Sequence, residues 1–372
     1  MRAFCFSIED RRMPRTNYAF RLAEALKAEI GRFAFSGHTA RLAFRTALAS
    51  VLSILVAMIL HLDNPYWAGI TAISITLPDI SISIARSIDR CLGTIIGAAV
   101  GYFGAHFVAD HLVFQFIIAG AGAFGIYGME RTAHGYAVLL GAVTVILVMF
   151  GSLDAPDSAL KLAVYRSMEI MVGVAVSYFI ELAFVPAAQA LPVSRKPGFF
   201  AGPVDERMLA TAITGGIATA SIPQIWESLQ LPGLDQTPIT AFVILVAMHR
   251  EPAWTALNRV IGCLMGGAYG LVCLRLVDDN TLLWLLLLFL GLYMFSHIKH
   301  GNAELSYGGH QAAVATILSM VQGLSPSPDI LPAISRLVGM IGGIVVVIVA
   351  AALIEPLVAR IVRLMMVQWR TL

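Results

Sequence analysis

Arg90, Gly93, Gly97 and Gly101 return 169 residues later as Arg259, Gly262, Gly266 and Gly270, an arginine leading the same glycine stripe at the same spacing. Ile70, Thr71 and Ala72 return at that offset as Ile239, Thr240 and Ala241. At offset 170, Arg166, Gly173 and Pro186 return as Arg336, Gly343 and Pro356. A common offset across three separate segments predicts two copies of one unit of about 150 residues.

The solvent of that unit is lipid. Hydrophobic residues make up 58% of the chain and charged ones 13%, with a mean hydropathy of +0.80, far from the balance of a water-soluble domain. Twelve apolar runs are visible, at 42–61, 66–79, 88–108, 112–129, 132–150 and 162–186, then 207–225, 237–249, 255–277, 281–297, 306–323 and 333–357. Most approach the roughly 20 residues that a bilayer-spanning helix needs. The predicted fold is all-α and polytopic, with about twelve transmembrane helices arranged as two parallel six-helix bundles.

Basic residues orient the chain, because they concentrate in short cytoplasmic loops. With the amino terminus inside, only Lys161, Arg166, Arg275 and Arg336 fall outside, so 21 of the 25 lysines and arginines are cytoplasmic. Both termini are then cytoplasmic. The predicted segments are an amphipathic stretch over 1–40, a first membrane repeat over 41–187, a linker over 188–205, a second repeat over 206–358 and a tail over 359–372. An even number of helices per copy places the copies the same way up, around an axis along the membrane normal. The opening segment is no signal peptide, since Arg2, Arg11, Arg12 and Arg15 precede no clean apolar stretch. It suits a helix lying on the cytoplasmic membrane surface, and the tail reads similarly.

Several chemistries have no support in the sequence. Four scattered cysteines make no paired metal or redox spacing. No nucleophile sits with a base, no His and carboxylate cluster suggests a metal, and no glycine loop cradles ATP. Neither a cofactor nor a nucleic-acid partner is implied, and the chain is read as no enzyme.

The candidate residues lie within the apolar runs. Gly93, Gly97, Gly101, Gly262, Gly266 and Gly270 are helix-packing positions, because small residues four apart let membrane helices approach closely. Runs 66–79 and 237–249 are short and bounded by prolines at matching places in both copies, a pointer to a site near the midplane. Intramembrane charges face a cavity or a partner. Arg86, Arg90, Arg166, Arg259 and Arg336 are therefore candidates for an anion pathway, with pairing and snorkelling to lipid phosphates as the structural alternatives. Tyr66 and Trp67 fit either an outer aromatic belt or a surface on which a substrate stacks. Glu169, one turn from Arg166, is placed to pair with it, and its counterpart is Gly339. Glu169, Asp79, His134 and His310 are the candidate proton carriers. Glu181 and Glu355 are expected to reach cytoplasmic water.

A resemblance now enters. Asn64-Pro-Tyr-Trp-Ala-Gly-Ile-Thr, Pro78, Arg86, Arg90, Gly93-Thr-Ile-Ile-Gly97 and Gly101 resemble the first membrane module of the fusaric acid resistance family, also called the aromatic acid exporters. The second copy is similar to it mainly through Arg259 to Gly270. The resemblance implies efflux of small, often aromatic, organic acids across the inner membrane of a Gram-negative bacterium, and Glu169 or Asp79 as a proton carrier makes proton-driven export the leading expectation. It also implies a periplasmic adaptor (a membrane fusion protein) as partner, and a kinship with plant anion channels in which basic residues line the path. A passive organic-anion channel is the alternative, and a membrane scaffold or enzyme a more distant one. A homodimer is compatible with the glycine stripes. Many members carry a large cytoplasmic domain between the halves, where this chain has about twenty residues, so regulation by such a domain and the adaptor partnership stay open.

Overall fold

A computed structural model describes residues 18–33, 35–153, 155–184, 204–234, 236–247, 252–277, 280–301, 304–323 and 331–371. The first seventeen residues of the amphipathic stretch and most of the linker lie outside them. The helices are α1 (Tyr18–Arg32), α2 (His38–Ile59), α3 (Tyr66–Ile75), α4 (Ile80–Ala105), α5 (His111–Arg131), α6 (Gly135–Gly151), α7 (Ala159–Phe184), α8 (Glu206–Leu229), α9 (Gln236–Ala247), α10 (Pro252–Val277), α11 (Thr281–Gly301), α12 (Ser306–Met320), α13 (Leu331–Leu353) and α14 (Glu355–Thr371). Each of the twelve apolar runs coincides with a helix from α2 to α13. Six helices are long and apolar enough to cross a membrane, or seven if α13 and α14 count as one span bent by 49°. The chain is an all-helical, multi-pass membrane protein.

Local chemistry sets the helix ends. Asp79 caps α4 by accepting from Ser81 N at 2.8 Å, and Asp110, Asp205 and Asn280 cap α5, α8 and α11 in the same way, satisfying amides that a helix start leaves open. Pro78 follows α3, and its ring biases the preceding residue away from helix. Within the apolar helices, hydroxyls bond back to the carbonyl four residues earlier, as Thr46 does to Leu42 and Ser177 to Gly173. The hydroxyls that bond back in this way are not left open to lipid. The last run differs from its expected extent, because the helix breaks at Ile354, before Glu355 and Pro356, and continues as α14.

The glycine stripes pack helix against helix. A Cβ built on Gly93 or Gly97 would lie 2.3 Å from the carbonyl oxygen of Ala137 or Gly141, so α4 and α6 meet backbone to backbone. Gly262 and Gly266 do the same for α10 against Gly308 and Ala312 of α12, at 2.3 and 2.0 Å.

The two halves interlock instead of closing two separate bundles. One apolar core joins α2 and α3 to α10, α11 and α12, through Ile54, Ile73, Trp284, Leu288 and Ile317. The other joins α5 and α6 to α8, α9 and α13, through Ile118, Met149, Ile222, Phe242 and Val347. Helix α11 packs on α2 as α5 packs on α8. Sequence periodicity shows which face of a helix is apolar but not which half supplies its partner, and here each half fills the other. Outward, Ile96, Phe103, Phe179, Leu286 and Ile348 are exposed, an apolar surface suited to lipid.

Candidate functional site

The short helices α3 and α9 are the innermost elements. Helix α3 has ten residues, about 15 Å of rise, and seven of them are buried. Each of its ends is held by a charged side chain from another helix. At the amino end, Glu169 Oε1 on α7 accepts the Asn64 backbone N–H at 2.8 Å. At the carboxyl end, Lys299 Nζ on α11 donates to the Ile73 and Thr76 carbonyls, the latter at 3.1 Å. A carboxylate at the positive end and an ammonium at the negative end both suit the helix dipole.

The repeated arginines reach these short helices in matching ways. Arg90 Nε donates to Thr71 Oγ1 at 3.1 Å and its Nη1 to the Tyr136 hydroxyl at 2.9 Å. Arg259 Nε donates to Thr240 Oγ1 at 3.1 Å, and its Nη1 to the Tyr307 hydroxyl at 3.0 Å and to Gln311 Oε1 at 3.1 Å. Both arginines are 5% exposed. The threonines stand 169 residues apart and the tyrosines 171. Behind each threonine a repeated glycine makes room: a Cβ on Gly173 would lie 2.7 Å from Thr71 Cβ, and one on Gly343 2.8 Å from Thr240 Cβ.

Further cations converge on the same place. The Arg86 guanidinium lies 5.1 Å from the Tyr136 ring centre. Arg86, Arg90, Arg259 and Lys299 all lie within electrostatic reach of His310. His300, beside Lys299, pairs with Thr46 Oγ1 at 3.0 Å, and α2, which carries Thr46, also lends His38, Arg41, Phe44 and Arg45 to the wall of a cavity of about 820 Å³ completed by Asp79 and Tyr293. Toward the amino end of α3, the Arg166 guanidinium lies over the Trp67 indole, 3.4 Å from its centre. Its Nε and Nη1 are buried without a hydrogen-bond partner. A string of basic groups thus runs from the cavity, past His300 and Lys299, through the paired arginines, to Arg166.

The structure therefore brings Tyr66, Trp67, Arg86, Arg90, Arg166, Arg259, Glu169 and His310 around α3 and its contact with α12. It does not bring the other candidates there. His134 Nδ1 pairs with Asp89 at 2.7 Å, where α4 faces the start of α6. Asp79 is a helix cap on the cavity wall. Arg336 lies on α13 with its side chain outside the described residues.

Two local expectations are corrected. Arg166 and Glu169 form no direct ion pair: the stacking surface of Trp67 and the open Asn64 amide each offer a nearer partner. Glu181 does not reach water; it is 4% exposed and pairs with Arg45 at 3.0 Å. Glu355 is half-buried and accepts from the Thr211 hydroxyl at 3.0 Å.

Lys299, Thr71, Thr240, Tyr136, Tyr307 and Gln311 escaped sequence reasoning as site residues. The threonines share the offset of the arginines, which is a usable signal. Lys299 gives only the signal of a lone lysine ending an apolar run.

Residues 39–196 match the model of the fusaric acid resistance protein family, and residues 219–350 match that of fusaric acid resistance protein-like sequences. The chain belongs to the fusaric acid resistance family. Among curated relatives, a protein of Musicola paradisiaca named p-hydroxybenzoic acid efflux pump subunit AaeB is 22% identical over 59% of this chain and 36% of its own length. An Escherichia coli K12 protein named uncharacterized transporter YdhK is 27% identical over 36% of this chain and 21% of its own. A Bacillus subtilis protein, UPF0421 protein YgaE, is 29% identical over 38% of this chain and 39% of its own. The chain thus spans well under half the length of these relatives. No solved structure matches it.

Proposed function

We propose that this protein exports small organic anions, aromatic acids among them, across the bacterial inner membrane, driven by protons. In this reading helices α2 to α13 are twelve spans forming two parallel repeats with both termini cytoplasmic, the helices too short or polar to span alone being shielded by their neighbours. The observation that carries it is the matched pair of buried arginines, Arg90 and Arg259, on threonines of the short helices α3 and α9, with Lys299 at the carboxyl end of α3. Cations gathered in a low-dielectric interior attract a negative solute far more strongly than the same charges in water. The cavity at His38, Arg41 and Arg45 is the cytoplasmic entrance, and Arg166 over Trp67 is the last basic station toward the outside.

Glu169 is the leading proton carrier, being 1% exposed and hydrogen-bonded to the amino end of α3, where a change of charge acts on the helix that Arg90 grips. Asp79 is the second, at the cavity wall. Relatives named as efflux pump subunits support a periplasmic adaptor as partner.

The test is uphill uptake of p-hydroxybenzoate into inside-out vesicles with an acidic lumen, which is export in the inverted membrane. Wild-type protein accumulates the acid and Glu169→Gln loses accumulation while keeping downhill flux. Unchanged accumulation in the protein carrying both Glu169→Gln and Asp79→Asn sinks proton coupling through these carboxylates, and wild-type flux that runs only downhill leaves a passive channel. No flux in the wild-type protein sinks organic-anion transport altogether.

A further inference from the structure

The four cations at the centre have neutral partners only. Arg90 is held by two hydroxyls, Arg259 by two hydroxyls and an amide oxygen, and Lys299 by backbone carbonyls, while Arg86 lies over the Tyr136 ring. The nearby carboxylates are engaged elsewhere. Asp89 turns to His134, Glu29 pairs with His297 at 3.3 Å, and Glu169 is at the far end of α3 with Arg166. Among the described residues none of the four cations makes an ion pair.

Arg90 and Arg259 are buried while Arg86 and Lys299 are half-buried, and like charges held close where water is scarce repel unless an opposite charge compensates them. A solute carrying one negative charge can answer Arg90 and leaves Arg86 and Lys299 without a counter-charge. Arg90 also keeps a free valence for such a solute, because its hydrogen bonds to described residues use Nε and Nη1 and leave Nη2 open. Arg86, which makes no hydrogen bond to a described residue, supplies a second charge on the other side of Tyr136.

We infer that the central site selects organic dianions over monoanions, one negative group meeting Arg90 and the second meeting the charge supplied by Arg86 and Lys299. This rests on the proposed export function and narrows its substrate class. Arg86 is the specificity-determining residue. Its removal costs least in structure, since only a ring contact is lost, and most in charge selectivity.

Benzoate and isophthalate share a ring and differ by one carboxylate, so they isolate the second charge. The experiment measures binding of each to the purified full chain in detergent at neutral pH, by calorimetry, for wild type, Arg86→Gln and Arg86→Lys. Wild type is expected to bind isophthalate at least about tenfold more tightly than benzoate, as one well-placed charge pair allows. Arg86→Gln loses about tenfold for isophthalate and less than about threefold for benzoate, and Arg86→Lys retains most of the preference. Equal wild-type affinities, or equal losses for both acids in Arg86→Gln, overturn the dianion assignment and leave organic-anion export standing. If neither acid binds but p-hydroxybenzoate is transported in vesicles, the dianion assignment is likewise overturned. If it is not transported either, both fall.

Discussion

Lys299 on α11 donates to the Thr76 carbonyl at the end of α3, so a cation from the second half of the chain closes the carboxyl end of a helix in the first. Lys299→Met leaves the Ile73 and Thr76 carbonyls without that donor in a buried setting, where an unmet acceptor costs about 1–3 kcal/mol. The thermal midpoint of the purified protein should fall, and anion flux with it. Lys299→Arg should recover part of both. A Lys299→Met protein as stable as wild type would show that the capping contact contributes nothing.

Neighbouring glycines on α10 give opposite expectations. A Cβ on Gly266 would lie 2.0 Å from the Ala312 carbonyl oxygen, whereas one on Gly267 meets nothing within 4 Å. Gly266→Ala must push α10 from α12 and should destabilise by about 1–3 kcal/mol. Gly267→Ala should be neutral or slightly stabilising, because alanine is the better helix former by about 1 kcal/mol. Midpoints of the two variants in one detergent decide the matter, and equal shifts would contradict the packing described.

The Trp67 indole is the close neighbour of an arginine whose Nε and Nη1 lack hydrogen bonds. A desolvated cation over an indole is stabilised by about 2 kcal/mol. Trp67→Leu should therefore lower stability by more than Trp67→Phe, which keeps a ring face under Arg166. If the leucine variant matches the phenylalanine one, burial alone accounts for Trp67.

Among the described residues, helix α1 is fastened to the second half by an exposed ion pair and by a buried carboxylate–imidazole contact. Arg21 and Glu304 meet at 2.7 Å with side chains 26% and 47% exposed, and such a pair is worth about 0–1 kcal/mol. Glu29 and His297 meet at 3.3 Å with side chains 5% and 2% exposed. Removing one partner of a buried polar contact leaves the other unmet, at a cost of about 1–3 kcal/mol. Glu304→Ala should leave proteolysis within α1 nearly unchanged, and Glu29→Ala should accelerate it several-fold. The reverse order would place the anchor of α1 at its exposed end.

Much of the helix content was legible in the sequence because apolar runs and their proline, glycine and aspartate borders are local. The runs at 66–79 and 237–249 were recognisable as short, and α3 and α9 are. The role of a charged residue was less legible. Arg166 and Glu169, one turn apart, look paired on a helical wheel, yet each finds a different partner on the segment that opens α3. A wheel shows neighbours on one helix and says nothing about the helix packed against it.

What the sequence determined by itself is the apolar composition suited to lipid and the recurrence of arginine, threonine and glycine positions at one offset, since each is a matter of composition and spacing along one chain. What only the tertiary structure decided is which half meets which: α11 on α2, α5 on α8, Lys299 on α3, and the repeated arginines on threonines and tyrosines of other helices. The physical reason is that apolar burial is non-directional, so hydrophobic faces fix that helices pack. The choice of partner is made by shape and by hydrogen bonds between residues distant in sequence.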